Sequence, residues 1–153
     1  MTDVSIRRAT PADTTVLARF NTLMALETEH KRLDEPVVTA GVRRLLETPD
    51  LGFYLVAEHE QVITGALAIT FEWSDWRNGL FWWIQSVYVM PAFRQQGVFR
   101  TLYNEVNRQA RSAENVCGIR LYVEKDNLNA QQTYLRLGMA ETDYRLYEVE
   151  FSH

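Results

Sequence analysis

The stretch LFWWIQSVYV, residues 80–89, constrains the fold of this chain more than any other stretch. It is apolar on both of its alternating faces, and only Gln85 and Ser86 interrupt that character. Such a pattern is typical of a strand in the middle of a sheet that is covered on two sides. The stretch therefore predicts a central strand.

The segments before this strand predict five further elements. VSIRRA alternates briefly and predicts a first strand, and TPADTTVLARFNTLMALETEH predicts a helix with Thr10 as its N-cap and Pro11 at its first position. A second short helix is expected near VTAGVRRLLE. GFYLVAEHEQVITGALAITFEW predicts two strands joined by a tight turn.

The segments after the central strand predict a helix from Gly97 to about Ala113, then a strand at GIRLYVEK. A short helix at NAQQTYLRLG follows, closed by Gly138 as its C-terminal cap, and MAETDYRLYEVEF predicts one long or two short closing strands. This order predicts one α/β domain over residues 1–153, with a mixed, partly antiparallel sheet flanked by helices.

Composition and charge exclude several classes of protein. The 153 residues are 46% hydrophobic, which is enough for one domain with a core. The formal net charge of −4 gives no footprint for nucleic acid or anionic lipid, and it suits a small cationic partner. No run approaches the roughly 20 apolar residues of a membrane span, and the start MTDVSIRRAT lacks the apolar core of a signal peptide. We therefore expect a cytoplasmic protein.

Cysteine and histidine give little sign of redox or metal chemistry. Cys117 is the single cysteine, so it forms no internal disulfide, and we expect it to be a small buried residue at the start of a strand. The three histidines have no ligand spacing, and no metal is predicted; they are His30, His59 and His153.

The segment VYVMPAFRQQGVF joins the central strand to a helix and is the first candidate site. The first amides of a helix lack partners and, with the macrodipole, favour an anion. Gly97 allows close approach, Arg94 adds a charged donor, and the run from Arg94 to Phe99 offers several amides to phosphate oxygens. The alternative is an ordinary loop that Pro91 and Gly97 punctuate. GxGxxG and GxxxxGKS/T are both missing from the sequence, which disfavours dinucleotide and P-loop sites.

About thirty residues later, EKDNLNAQQTYLRLGM follows a strand, and the two segments together resemble the GNAT superfamily of acyl-CoA-dependent N-acetyltransferases. In that family the first segment ends in Q/R-x-x-G-x-G/A; Arg94 to Gly97 match it, and Phe99 replaces the final small residue. The order of elements also matches over nearly the whole chain. The second segment has the family's Asn, Ala, Tyr, Gly spacing at Asn127, Ala130, Tyr134 and Gly138.

The resemblance implies acetyl-CoA as the cofactor. Its pyrophosphate would lie on the turn, and its pantetheine arm along an exposed edge of the central strand, which a bulge near Ser86 to Tyr88 splays from its neighbour. One backbone amide there would polarise the acetyl carbonyl. The resemblance implies that Asn127 contacts the cofactor. Asn127 is also the expected N-cap of its short helix, and one side chain can have both roles. The implied cofactor-binding residues are Val87, Tyr88, Val89, Arg94, Gln95, Gln96, Gly97, Val98, Phe99, Asn127, Ala130 and Tyr134.

The implied reaction needs a proton donor and a proton acceptor. The resemblance assigns the donor to Tyr134, whose phenol would protonate the departing sulfur of coenzyme A; the alternative is a core tyrosine. Neutralising an alkyl ammonium at neutral pH costs roughly 4 to 5 kcal/mol, so a base is required. Glu27, expected to face the interior from the first helix, is the first candidate, and Glu72 is the second. Gln85 or Tyr88 acting through a water is the third.

The aromatic stretch TFEWSDWRNGLFWW is a candidate acceptor site. Trp73 and Trp76, with Asp75 between them, would hold a cation against an aromatic face, beside Glu27 and Gln85. The alternative is core or the surface of a homodimer. We therefore expect direct transfer of an acetyl group from acetyl-CoA to a small-molecule amine. Protein or peptide amines, a non-catalytic acyl-CoA sensor and an interaction protein stay open, as do acyl chain length and oligomeric state.

Overall fold

The computed structural model describes residues 3–152, and in this range the strands form one five-stranded sheet in the order of the chain. Neighbours are antiparallel except for the last pair, which is parallel. The predicted mixed, partly antiparallel sheet is confirmed. The strands are β1 (Ser5–Arg8), β2 (Gly52–His59), β3 (Val62–Ser74), β4 (Gly79–Val89) and β5 (Val116–Arg120), and the helices are α1 (Thr14–Glu29), α2 (Glu35–Glu47), α3 (Val98–Ser112) and α4 (Leu128–Arg136).

The chain divides into two compact units. Residues up to Leu121 hold the whole sheet with α1, α2 and α3, and residues from Tyr122 onward hold α4 and the closing segment. No helix within residues 3–152 has both the length and the apolar character that a membrane span requires.

Helices cover both faces of the sheet in the first unit. On one face, Leu17 and Phe20 of α1 and Val42 of α2 pack against side chains of β2, β3 and β4. Leu67 and Ile69 alternate with those strand residues and so point to the other face. There α3 contacts all five strands with its buried side. The central strand is therefore covered on two sides, as its apolar pattern predicts.

A β-bulge interrupts β4 between Gln85 and Tyr88, where the resemblance implies one. In the ladder of β3 with β4, Ala66 pairs with Tyr88 and Ala68 pairs with Gln85, so one residue of β3 stands opposite two of β4. Ser86 has φ 54°, a left-handed conformation that is uncommon outside glycine. The bulge changes the direction of the second half of β4.

β5 accompanies only the first half of β4. The pairs run from Leu80 with Val116 to Trp83 with Arg120, and within residues 3–152 no strand flanks β4 on this side beyond Trp83. The predicted splayed central strand pair is confirmed. The edge of β4 from Ile84 to Val89 therefore has no strand partner on this side.

Two helix boundaries differ from the prediction. A 3₁₀ turn (Pro11–Asp13) precedes α1, because the Asp13 carboxylate accepts a hydrogen bond from the Thr10 amide at 2.8 Å and closes a separate turn. α2 begins at Glu35, earlier than expected, since Pro36 is tolerated in the first turn of a helix.

The end of the chain differs more. β5 occupies Val116–Arg120 rather than GIRLYVEK, and in the described part of the chain no strand follows it, so the predicted closing strands are wrong for this structure. Alternating apolar residues form a strand only where a partner edge is present. Here Tyr147 and Phe151 are exposed. Cys117 was expected to be buried and is exposed on the edge strand β5.

Candidate active site

The turn between β4 and α3 combines left-handed residues with the start of a helix. A 3₁₀ turn (Pro91–Phe93) follows β4, and then Gln95 and Gly97 adopt left-handed conformations with φ 62° and 81°. Among the described residues, the amides of Gln95, Gly97 and Val98 donate to no backbone carbonyl in turns or caps. Val98 opens the 15-residue α3, whose dipole adds positive potential at this end.

Two further side chains shape this turn. The Gln96 amide donates to the carbonyl of Ala92 at 3.0 Å, which folds the side chain back onto the preceding 3₁₀ turn. Phe99 stands where the family has a small residue, and its ring lies 6.3 Å from that of Tyr103 on the same helix. The larger side chain therefore packs along α3.

Arg94 is held over the end of β4. Its Nε donates to the carbonyl of Val89 at 2.8 Å, and its Nη2 donates to the Glu27 carboxylate at 2.8 Å. Its guanidinium carbon lies 5.4 Å from the centre of the Tyr88 ring. The carbonyl of Val89, one of the residues implied to bind the cofactor, therefore has a hydrogen-bond donor within the protein.

Glu27 and Tyr88 complete this cluster. The Tyr88 hydroxyl donates to Glu27 Oε1 at 3.3 Å, and burial, followed by the Glu27 charge, raises the pKa of the Tyr88 phenol. The expectation that Glu27 faces the interior is wrong, because its side chain is 39% exposed. Ala25 is the last buried residue of α1, so Glu27 lies in the exposed final turn.

Glu72 lies in a second cluster on β3, β4 and β5. Its Oε1 accepts from the Trp83 indole at 3.0 Å and from Arg120 Nη1 at 2.8 Å, whereas Oε2 has no hydrogen bond recorded within residues 3–152. The guanidinium of Arg120 also lies 3.6 Å from the centre of the Phe81 ring. Only one oxygen of Glu72 is therefore engaged.

Gln85 shares this face of the sheet with Glu72. Its amide donates to the Thr70 hydroxyl, and Thr70 pairs with Trp83 in the strand ladder. Gln85 precedes the bulge, where β4 has just lost β5 as its neighbour. The structure thus brings Glu72 and Gln85 to one face: Gln85 lies at the start of the open edge, and Glu72 lies where β5 still pairs with β4.

The Trp73–Trp76 turn lies at the other end of β4. Trp73 is 58% and Trp76 82% exposed, and the Asp75 carboxylate accepts from the Trp76 amide at 2.9 Å. β4 runs from this turn to the Arg94 turn, about 30 Å at the usual rise per residue. Trp82, by contrast, is buried beside Phe53 at 5.2 Å, so the core alternative is confirmed for it.

The second unit holds the other predicted site residues on α4. Asn127 caps the helix, with its side-chain oxygen accepting from the Ala130 amide at 3.2 Å, as one of the two predictions for it required. Gly138, with φ 95°, closes the helix as predicted: its amide donates to the Leu135 carbonyl. Burial raises the pKa of the Tyr134 phenol.

Arg120 is the functional-site neighbour that the sequence did not indicate. It lies 48 residues from Glu72 along the chain, and only the β4–β5 register brings the two together.

Among the described residues no three His, Cys, Asp or Glu side chains group closely enough to hold a metal ion, and His153 lies outside those residues.

The five-stranded mixed sheet with its splayed central strand pair has the fold of the acetyltransferase class. The model of the acetyltransferase (GNAT) family matches residues 18–139, and the chain belongs to this family. No curated protein matches the sequence.

Solved structures agree with the family. A possible acetyltransferase from Clostridium difficile 630 is 45% identical, with a TM-score of 0.92 over 98% of this chain and 99% of that one. A predicted acetyltransferase from Clostridium acetobutylicum with acetyl-CoA is 19% identical, with a TM-score of 0.78 over 96% of each chain. A ribosomal-protein-alanine N-acetyltransferase from Brucella melitensis biovar Abortus 2308 is 16% identical, with a TM-score of 0.77 over 98% and 100%.

The cofactor is acetyl-CoA. Two features of the first unit suit it. The turn at Gln95 to Val98 offers amides and a helix N-terminus to a diphosphate, and the edge of β4 beyond Trp83 offers backbone groups to the amides of a pantetheine arm.

Proposed function

We propose that this protein is an N-acetyltransferase that moves an acetyl group from acetyl-CoA directly to the amine of a small molecule. The observation that carries the choice of an amine is the half-engaged carboxylate of Glu72. An anionic oxygen on the same face of the sheet as Gln85 suits an ammonium group, and the net charge of −4 favours a cationic acceptor. A basic protein segment is also cationic and is attracted by the same charge, so peptides are tested beside small amines.

We propose that the diphosphate binds the amides from Gln95 to Phe99, with Arg94 as a charged donor. Backbone groups of Val87 and Val89 would hold the pantetheine arm, and one amide there would donate to the acetyl carbonyl oxygen. When bound, acetyl-CoA supplies an acetyl group activated as a thioester. By resemblance to the family, Asn127 and Ala130 also contact the cofactor.

Glu72 is our candidate for the proton acceptor. Its Oε1 is fixed by Trp83 and Arg120, which orients the carboxylate and leaves Oε2 to accept a proton from an ammonium, directly or through a water. Both oxygens of Glu27, in contrast, already accept hydrogen bonds from protein side chains. Glu72 is therefore the better placed of the two carboxylates.

Tyr134 is our candidate for the proton donor, on the strength of its position in the family's second motif. Burial raises the pKa of its phenol, so the hydroxyl keeps its proton at neutral pH. A protonated phenol can donate that proton to a departing thiolate.

The proposed acceptor pocket uses polar side chains on one face of β3 and β4. Gln85 shares a face with Glu72 and can orient the amine through its side-chain oxygen. Trp73 directly follows Glu72 in β3 and points to the opposite face of the sheet, so we assign the Trp73–Trp76 turn no contact with an amine held beside Glu72 and Gln85.

The test is release of coenzyme A from acetyl-CoA in the presence of two panels, one of small amines and one of peptides with free amino groups. We expect turnover with a small amine, and a fall in kcat of about 100-fold in Glu72→Gln and Tyr134→Phe, within the usual range for loss of an acid or base. Acetyl-CoA affinity should stay within about twofold in both variants, because neither side chain is assigned to the diphosphate turn. Glu47→Gln, at the exposed end of α2, is the charge-matched control.

Three outcomes would contradict this proposal. Tight acetyl-CoA binding without turnover on either panel would favour a sensor. Turnover on peptides alone would identify a protein acceptor. Full activity of Glu72→Gln would remove Glu72 as the proton acceptor.

A further inference from the structure

Arg94 is held by three contacts within the protein. Its guanidinium donates to a backbone carbonyl at the end of β4 and to the Glu27 carboxylate, and it lies over the Tyr88 ring. Long side chains normally lose rotamer freedom when they bind a ligand. The contacts with Val89 and Glu27 restrict the rotamers of the Arg94 side chain.

Glu27 connects the turn to a distant element. It lies in the last turn of α1, 67 residues from Arg94 along the chain, and its two oxygens accept from different residues. Oε2 accepts a hydrogen bond from Arg94, and Oε1 accepts one from the Tyr88 hydroxyl. Tyr88 lies on the buried face of β4. A rigid core residue thus fixes the carboxylate, and the carboxylate fixes the arginine.

This arrangement leaves part of the guanidinium for a ligand. Arg94 directly precedes the left-handed Gln95, and its side chain is 43% exposed, so part of the guanidinium is accessible to a ligand. A planar guanidinium whose other nitrogens are held has a defined direction for its remaining donors.

We propose that Glu27 is a positioning residue for the cofactor: it holds Arg94 so that the turn from Gln95 to Val98 is ready for the diphosphate of acetyl-CoA. This inference rests on the proposed function, since it takes the turn as the diphosphate site. It assigns Glu27 a part in cofactor affinity and none in deprotonating the amine.

The first test measures coenzyme A affinity by calorimetry. Glu27→Gln should bind coenzyme A roughly 3- to 10-fold more weakly, the range expected when a partly exposed ion pair no longer orders its arginine. Glu29→Gln is the matched control: it removes a carboxylate from the same helix end, and that carboxylate contacts Lys31 at 3.7 Å and not the turn. Its affinity should equal that of the unsubstituted protein.

A double-mutant cycle tests whether Glu27 affects coenzyme A affinity through Arg94. In an Arg94→Gln background, Glu27→Gln should cause no further loss of affinity, because the carboxylate acts through the arginine. If Glu27→Gln fails to fold, Arg94→Lys tests the same link, since a lysine has a single terminal donor group in place of the guanidinium fork that reaches both Val89 and Glu27.

A truncated donor separates positioning from chemistry. With S-acetyl-pantetheine, which lacks the diphosphate, Glu27→Gln should turn over at the unsubstituted rate, and the pH profile of kcat should be the same in both proteins. Unchanged or tighter coenzyme A binding in Glu27→Gln would overturn the inference. So would loss of kcat with the truncated donor, because that result would make Glu27 the base.

The two proposals fail differently. If no amine is acetylated but Glu27→Gln still weakens coenzyme A binding, the positioning role stands and the transferase proposal falls. If coenzyme A does not bind the unsubstituted protein at all, both fall.

Discussion

Gly97 occupies a backbone conformation that other residues adopt only at a cost. With φ 81° it lies in the left-handed region, at the N-cap of α3. A side chain there costs about 1–2 kcal/mol of folding free energy. In a variant with a side chain at position 97, the backbone of the turn would change its conformation to reduce that cost. Such a change would move the neighbouring amides.

We therefore predict that Gly97→Ala lowers the free energy of unfolding by about 1 kcal/mol and weakens coenzyme A binding by about 5-fold. Gly41→Ala is the control: a Cβ at Gly41, inside α2, meets nothing within 4 Å, so alanine should raise stability by roughly 0.5–1 kcal/mol without changing affinity. Chemical denaturation and calorimetry check both variants. Unaltered coenzyme A affinity in Gly97→Ala would speak against the turn as the diphosphate site.

Single residues also mark the limit of what the sequence can predict. The glycine at position 97 and the arginine at position 94 are visible as types, and their motif predicts the turn. The partners of Glu27 and Glu72 are not visible, because Arg94 and Arg120 are 67 and 48 residues away and only tertiary structure brings them into contact. Glu27 was misjudged for a simpler reason: helical periodicity predicts a face but not where the core ends.

At the scale of elements, the short strand β1 is fastened by a charged cluster. Arg7 donates to both oxygens of Asp13, at 2.9 and 3.0 Å, and to Glu58 of β2 at 2.8 Å. The Arg7 side chain holds the pKa of the Asp13 carboxyl below its ordinary value. A pKa lowered by folding means that the carboxylate stabilises the fold above the ordinary pKa of about 3.9 and loses that effect as pH falls through the folded value.

Asp13→Asn should therefore reduce the free energy of unfolding by about 1–2 kcal/mol at pH 7, through loss of the charged hydrogen bonds to Arg7. The difference in unfolding free energy between the two proteins should shrink as the pH is lowered through 4 and below. The Asp13 carboxyl of the unsubstituted protein then becomes protonated and loses its charge, so both proteins have an uncharged group at this position. Urea unfolding at a series of pH values measures this. A difference that is the same at pH 7 and at the lowest pH would contradict the electrostatic explanation.

Elements were predicted well where their own residues decide them. The apolar run of β4, the capped helix α4 and the hairpin between β2 and β3 each carry local signals, and each is confirmed. The closing strands were not found, since a strand depends on an edge elsewhere in the fold to pair with. The end of β5 at Arg120 likewise depends on its divergence from β4.

At the scale of the whole molecule, the sequence predicted the family, because two motifs and the order of elements agree over most of the chain. The family model covers residues 18–139, and the structure of the 45% identical Clostridium difficile protein superposes along nearly the whole length. A single domain over residues 1–153, a homodimer and a cytoplasmic location stay predictions. The acceptor stays a proposal, since members of one fold can use different acceptors.

The central claim is that the diphosphate of acetyl-CoA binds the turn between β4 and α3. The most direct measurement is a titration followed by amide-resolved NMR, with coenzyme A in one series and pantetheine in the other. We predict large shifts of the Gln95, Gly97 and Val98 amides with coenzyme A and small ones with pantetheine, while amides along the open edge of β4 respond to both. Saturable binding of coenzyme A that leaves these three amides unshifted would contradict the account.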